Sequence, residues 1–347
     1  MKRRPEGEAG LQLKGKAVAI RDFGELENRE TVKEVTLHGG DLTASILTYG
    51  ATVRRLQLGD RDLTLGFDNL RDYELHSPHM GATAGRCANR IANGCFSIGN
   101  DEFQLSVNEG GRHHLHGGHT GFAHRIWTIE EASEDSVLLS LVSPDGEEGY
   151  PGTVQITCRY TLTKDNTLRI EFSGSTDKPT LLNPAHHSYF NLGDHEDVTK
   201  HQIMIPARSY LPVSDELIPT GEIVDVAGTA YDFREMRQVQ DEQDSRFDNN
   251  FCLRQFRLEK PELSAVVFEP ETQIKMEVWS TEPGIQFYDG SSLNTPVPGF
   301  NGKNYGPRAG LCLEPQCWPD SPNHEEFACS TLQPTEHYLQ ITEYRFI

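Results

Sequence analysis

Positive charge is scarce in this chain: 32 lysines and arginines stand against 52 aspartates and glutamates, for a formal net charge of -20. That balance repels phosphate backbones and anionic bilayers, so nucleic acid and membrane surfaces are poor partners. Long apolar runs are missing too, and nothing approaches the roughly 18 consecutive apolar residues of a membrane-spanning helix. The seven cysteines (Cys87, Cys95, Cys158, Cys252, Cys312, Cys317, Cys329) are odd in number and contain no Cys-x-x-Cys pair. This argues against a disulfide framework and a zinc ribbon, and for a reducing, cytoplasmic location. Behind Lys2, Arg3 and Arg4 there is no apolar stretch of the signal-peptide kind, so residues 1–15 read as a mobile tail.

Helical periodicity is also absent over any long window, and the period that does recur is two. Val154, Ile156, Cys158, Tyr160 and Leu162 alternate with Gln155, Thr157, Arg159, Thr161 and Thr163, and Leu168, Ile170 and Phe172 resume the pattern after Lys164-Asp165-Asn166. One apolar and one polar face predict a β-hairpin over 153–174. Phe96-Ser97-Ile98 and Phe103-Gln104-Leu105 flank a Gly99-Asn100-Asp101 turn and predict another. Ile274, Met276 and Val278 predict a strand, and 69–75 is one of the few short helix candidates. The expectation is an all-β fold, a large antiparallel sandwich with very little helix. Although 347 residues exceed a typical domain, no linker interrupts 16–347, which read as one β-sandwich domain.

Between these strands lie loops dense in His, Gly, Asn and Pro, the kind of segment on which a β scaffold carries its chemistry. Residues 85–94 set Arg86 and Arg90 beside Asn89 and Asn93. They suit hydroxyl recognition, or a turn whose arginines pair with surface carboxylates. Residues 112–119 hold His113, His114, His116 and His119. The His114-x-His116 spacing suggests a metal, but positions 120–124 supply no carboxylate to complete the set, which leaves neutral hydrogen-bonding imidazoles as the better reading. His186-His187-Ser188-Tyr189 offers an imidazole whose ordinary pKa suits a general acid, against the blander reading of a satisfied core histidine. Glu314 follows an apolar run and is expected at a strand end, buried and poised as a base unless it merely anchors the next loop. Asp248 and Gln286 sit among aromatics, as sugar-binding groups do.

Taken in chain order, these stretches resemble the aldose 1-epimerase (galactose mutarotase) family. The shared patterns are Gly-Arg-x-Ala-Asn-Arg-Ile at Gly85, Leu-His-Gly-Gly at Leu115, Gly-Tyr-Pro-Gly at Gly149 and His-Ser-Tyr-Phe-Asn-Leu at His187. Further on come Asp-x-Asn-Phe at Asp248, Pro-Gly-x-Gln-Phe-Tyr at Pro283 and Leu-Glu-x-Gln-x-x-Pro-Asp-x-x-Asn at Leu313. The resemblance implies a β-supersandwich with an open cleft, acting on a free aldose (galactose-like or glucose-like), with neither metal nor organic cofactor. It implies His187 as general acid and Glu314 as general base, with Asn89, Arg90, His116, Tyr189, Asp248 and Gln286 binding the sugar. A monosaccharide is the implied partner, and the protein is expected to be a monomer or weak homodimer.

Four positions depart from the family's usual residues: His113, His186, Asn249 and Pro315. His186 and Asn249 are expected to bear on which hydroxyl orientation is preferred. Two alternatives remain at this point. A hexose-6-phosphate epimerase would need basic residues for the phosphate, with Arg86, Arg112 and Arg125 as candidates. A non-catalytic carbohydrate-binding protein would share the aromatics and amides but has no use for His187 and Glu314.

Overall fold

The computed structural model describes residues 18–193, 195–240, 245–328 and 330–347; the tail expected over 1–15 lies outside them. Antiparallel strands dominate, as the period of two predicts. A nine-stranded sheet runs in the order Thr128–Ala132, Ser136–Ser143, Val154–Leu162, Thr167–Thr176, Tyr338–Phe346, Lys275–Ser280, Glu262–Phe268, Gln202–Met204 and Arg237–Gln238. The hairpin expected over 153–174 supplies its third and fourth strands, with Cys158 opposite Phe172 and Tyr160 opposite Ile170. Near the N-terminal end, Ala19–Glu25, Thr31–Gly39, Leu42–Leu47, Thr52–Leu58 and Arg61–Asp62 build a five-stranded sheet in sequence order.

A third sheet, of six strands, carries the chemistry. Its order is Tyr189–Phe190, Leu311–Gln316, Gly284–Tyr288, Asp248–Cys252, Ser209–Tyr210 and Val224–Asp225. Alternation along its central strands sends Ile285, Phe287, Leu311, Leu313 and Phe251 into the main apolar core, where they join Val35 and Ile46 of the five-stranded sheet and Ile156, Tyr160 and Ile170 of the nine-stranded one. The residues between them, Gln286, Cys312, Glu314, Asp248 and Asn250, are thereby turned to the opposite face. Tyr344 ties two sheets together, its hydroxyl donating to the Leu313 carbonyl at 2.9 Å beneath Glu314.

Among the described residues the one α-helix is Leu70–His76, capped by Asn69, whose side-chain oxygen accepts the Asp72 N–H at 3.0 Å. It buries Leu70 and Tyr73. Among the described residues no helix is long and apolar enough to cross a membrane.

Candidate active site

Register across the six-stranded sheet brings separate sequence motifs into rows. Asn250 stands opposite Gln286 and Gln286 opposite Glu314; one step along, Asp248 faces Tyr288 and Tyr288 faces Cys312. Glu314 is interior to its strand, where the sequence suggested the end. The strand continues through Pro315 because its pairing with Tyr189–Phe190 stops at Cys312, so beyond that point one side of the strand is an edge. Proline, which lacks an N–H, is tolerated at an edge.

His187 reaches this face from the neighbouring loop. Its backbone is held on both sides, by its own N–H to the Ala82 carbonyl at 3.0 Å and by the Gly81 N–H to its carbonyl at 2.9 Å. Its Nε2 lies 3.6 Å from Glu314 Oε1, and its Nδ1 3.6 Å from Cys312 Sγ. His116 comes from the tight loop after His114–Leu115, where Gly117 has φ of 90° and a Cβ there would sit 1.8 Å from the Gly85 carbonyl oxygen. Only glycine lets the loop close so tightly on Gly85. The His116 and His187 ring centroids are 5.2 Å apart.

Polar partners fix the rest. Arg90 clamps Glu109 with both Nε and Nη2, at 2.8 and 2.7 Å, and holds Nη1 3.9 Å from Asp248 Oδ2. Gln286 Nε2 donates to Asp248 Oδ1 at 2.7 Å. The Asn89 N–H donates to His116 Nδ1 at 3.1 Å, which leaves Nε2 of the neutral ring to carry the hydrogen. Asp248 keeps 27 % side-chain exposure, so the site is open to solvent on that side, while Glu314 at 2 % and His187 at 6 % lie deeper.

Burial sets the electrostatics. It pushes the Glu314 carboxyl well above the usual range; the Asp248 charge adds to the rise and Arg90 opposes it. Burial also pulls His187 down to about 4. His116 is held well below its ordinary value, first by burial and then by His79, His187 and Arg90. Both members of the pair are therefore favoured in their neutral forms, with one proton on Glu314. A carboxylate facing an imidazolium holds the same single proton, displaced from oxygen to nitrogen.

Of the residues singled out from sequence, Glu314, His187, His116, Arg90, Asp248 and Gln286 converge here. Asn89 lies beside them and spends its carboxamide oxygen on the Arg90 N–H at 2.8 Å. Tyr189 packs its ring 5.2 Å from that of His187 and donates its hydroxyl to the Pro78 carbonyl at 3.3 Å. Others lie elsewhere. His186 points into the core, with Nε2 2.7 Å from Ser188 Oγ and its ring near Tyr160 and Tyr344. Asn249, on the opposite side of its strand from Asp248, donates to the Leu211 carbonyl at 3.0 Å. Neither side chain is bonded to a residue of the site, so their placement gives no direct route by which they would tune hydroxyl preference. His114 is a structural group, bonded to the Ser106 carbonyl and the Tyr150 hydroxyl, each at 2.7 Å. His113 accepts the Asn93 N–H at 3.1 Å. Pro315 faces the other side of the sheet from Glu314, and its carbonyl accepts from Gln340 Nε2 at 3.0 Å.

The three arginines considered for a phosphate are all engaged. Arg86, 2 % exposed, is wrapped by Ser143, Thr180 and the carbonyls of Pro144, Pro151 and Gly152; Arg112 pairs with Glu216, and Arg125 with Glu147. Sequence reasoning missed His79, whose ring centroid lies 4.7 Å from His116 and 5.9 Å from His187, and Glu109, the partner of Arg90. It also missed Cys312, which two-residue spacing from Glu314 could have revealed. His187, Cys312 and Glu314 are the one group among the described residues whose donor atoms could hold a metal ion.

Residues 33–345 match the family model described as aldose 1-epimerase. The chain is 40 % identical over 336 residues to the galactose mutarotase of Mus musculus, covering 93 % of this chain and 97 % of that one. It is 36 % identical over 322 residues to the aldose 1-epimerase of Escherichia coli K12, covering 88 % and 92 %. Among solved structures, an aldose epimerase homologue from C. elegans superposes with a TM-score of 0.85 at 29 % identity, covering 90 % of this chain and 98 % of that chain.

Proposed function

The chain belongs to the aldose 1-epimerase family, isomerases that interconvert the α and β anomers of an aldose, and we propose that Glu314 and His187 carry out the proton transfers of that reaction. The observation that carries this assignment is the 3.6 Å approach of His187 Nε2 to Glu314 Oε1 on the polar face shared with Gln286 and Asp248. The two oxygens of a hemiacetal are bonded to one carbon, so a base and an acid that serve both must lie close together.

Sugar hydroxyls donating to Glu314 Oε2, which has no hydrogen-bond partner among the described residues, favour the ionised carboxylate and move the shared proton to His187. Glu314 then takes the proton of the C1 hydroxyl while His187 delivers its own to the ring oxygen, and the C1–O5 bond breaks to the open-chain aldehyde. Rotation about C1–C2 presents the other face of the carbonyl. Reclosure returns each proton to the group that gave it, so the pair is reset without exchange with solvent. Each partner is worth about 10² to 10⁴ in rate, or roughly 3 to 5 kcal/mol. Neutral His116, Arg90, Asp248 and Gln286 are the hydroxyl-binding groups in this reading, and the substrate is a free galactose-like or glucose-like aldose. The six described cysteines are all free thiols, which supports a reducing, cytoplasmic setting.

Polarimetry tests the proposal. Freshly dissolved α-D-galactose or α-D-glucose should reach equilibrium rotation faster with the protein than with buffer, with a chelator present throughout. No acceleration with any aldose of a broad panel would overturn it.

A further inference from the structure

Cys312 and Glu314 are two residues apart on one strand, so both side chains leave the same face. His187 spans them: Nδ1 is 3.6 Å from Cys312 Sγ and Nε2 is 3.6 Å from Glu314 Oε1. One donor atom from each residue lies within 4.8 Å of the other two. Cys312, Glu314 and His187 are 0, 2 and 6 % exposed, and Glu314 Oε2 is a buried oxygen with no hydrogen-bond partner among the described residues.

We propose that His187, Cys312 and Glu314 form a binding site for a thiophilic divalent cation of the zinc or cadmium type, and that occupancy switches the isomerase off. Bonds of about 2.0 to 2.3 Å at tetrahedral angles put zinc donors roughly 3.3 to 3.8 Å apart. One imidazole nitrogen binds the ion, so only one of the two 3.6 Å contacts is a donor pair of the site, and the three donors, within 4.8 Å of one another, draw together by up to about 1 Å on binding. A set of sulfur, nitrogen and one carboxylate selects zinc and softer ions over magnesium and calcium, which require six or more oxygens. Charge favours the same ion. A dication held by one thiolate and one carboxylate is neutral overall, which a buried site tolerates far better than either charge alone. Binding breaks the Cys312 S–H and Glu314 O–H bonds, forms the metal–sulfur and metal–oxygen bonds and releases both protons to buffer.

The site exists whether or not the protein is an epimerase, but the inhibition rests on the acid/base reading. A coordinated His187 has a nitrogen committed to the metal, and a coordinated Glu314 no longer accepts the C1 proton. Metal and catalysis are therefore mutually exclusive at the same atoms.

The experiment uses the full chain, freed of metal by chelator and then titrated with cobalt(II) as a spectroscopic substitute and with zinc as inhibitor. The expected results are a one-to-one thiolate-to-cobalt charge-transfer absorption, inhibition of mutarotation by zinc at micromolar concentrations, and indifference to millimolar magnesium. Cys312→Ser should abolish the absorption and raise the zinc concentration for half-inhibition by roughly tenfold or more, each measured against that variant's own metal-free rate. Cys312→Ala serves in its place if the serine variant does not fold. Absence of the thiolate band, its persistence in the variant, or unchanged zinc sensitivity there would overturn the proposal. So would cobalt or zinc binding through Cys312 without inhibition. Failure of the function itself reads out separately, as no metal-free mutarotation by the unsubstituted protein.

Discussion

Gln286 Nε2 donates to Asp248 Oδ1 at 2.7 Å, which orients the amide so that Oε1 is left as a buried acceptor with no partner among the described residues. A buried unpaired acceptor is costly, and a ligand hydroxyl relieves that cost on binding. In the proposed reading Gln286 has two tasks: it holds Asp248 together with Arg90, and it offers an oxygen of its own to the sugar. Gln286→Leu should lower kcat/KM by roughly ten- to a hundredfold, mostly through KM, since a sugar hydroxyl left without its buried partner costs about 1 to 3 kcal/mol. Initial polarimetric rates over a range of sugar concentrations measure this. A change within about twofold would remove Gln286 from the binding set.

Glu314 and His187 lie deeper and should behave differently. Glu314→Gln keeps the shape but cannot accept a proton, and His187→Asn keeps a polar side chain without a titrating ring. Each should cut kcat by about 10² to 10⁴ while the melting temperature stays within a few degrees. The double variant should be little worse than the single ones, because the two groups share one reaction step. If either single variant kept more than about a tenth of the rate, the assigned pair would be wrong.

Arg86 separates a structural role from a functional one. It stands three residues before Asn89 in the same Gly-Arg-x-Ala-Asn-Arg motif, yet its guanidinium bonds Ser143 and Thr180 and the carbonyls of Pro144, Pro151 and Gly152. Burial draws its pKa down to about 10, still charged at neutral pH. Arg86→Met leaves that cage of acceptors without donors and should destabilise the fold by about 3 kcal/mol or more, read as a lower urea midpoint. Activity of whatever remains folded should be nearly unchanged. A normal midpoint with lost sugar affinity would return Arg86 to the site.

The fold was more legible than the site because alternation is a local signal and facing is not. Val154 to Leu162 show one apolar and one polar face, so the hairpin could be read directly. All six residues of Leu311–Gln316 are buried, on both faces of their sheet, so the sequence pattern there could not say which side holds the core. That is why Glu314 was expected at a strand end and Cys312 was overlooked. His186 and His187 are adjacent, and only pairing of Ala185–His186 with Thr83–Ala84 sends the first to the core and the second to the site. His79 arrives from the loop after the short helix, and no spacing in the chain announces its approach to His116.

His201 makes stability depend on pH at a distance from the chemistry. Its ring is fully buried, Nε2 accepts the Leu192 N–H at 3.0 Å, and burial lowers its pKa to about 4, with Glu269 opposing and His195 adding to the fall. Above about pH 6.5 the ring is neutral in the folded and unfolded chain alike and contributes no pH dependence. Below that, the unfolded chain binds a proton that the folded one refuses, so stability falls with falling pH until the folded ring also titrates near 4. The loss accumulated over that window is roughly 3 kcal/mol from this one residue. His201→Gln keeps an acceptor for Leu192 without the titration. Comparing urea midpoints at pH 7.5 and 5, the variant should start lower and lose less than the unsubstituted protein, in which other buried histidines add to the same slope. Equal losses in the two proteins would mean that His201 keeps an ordinary pKa in the fold, or that it opens to solvent before global unfolding.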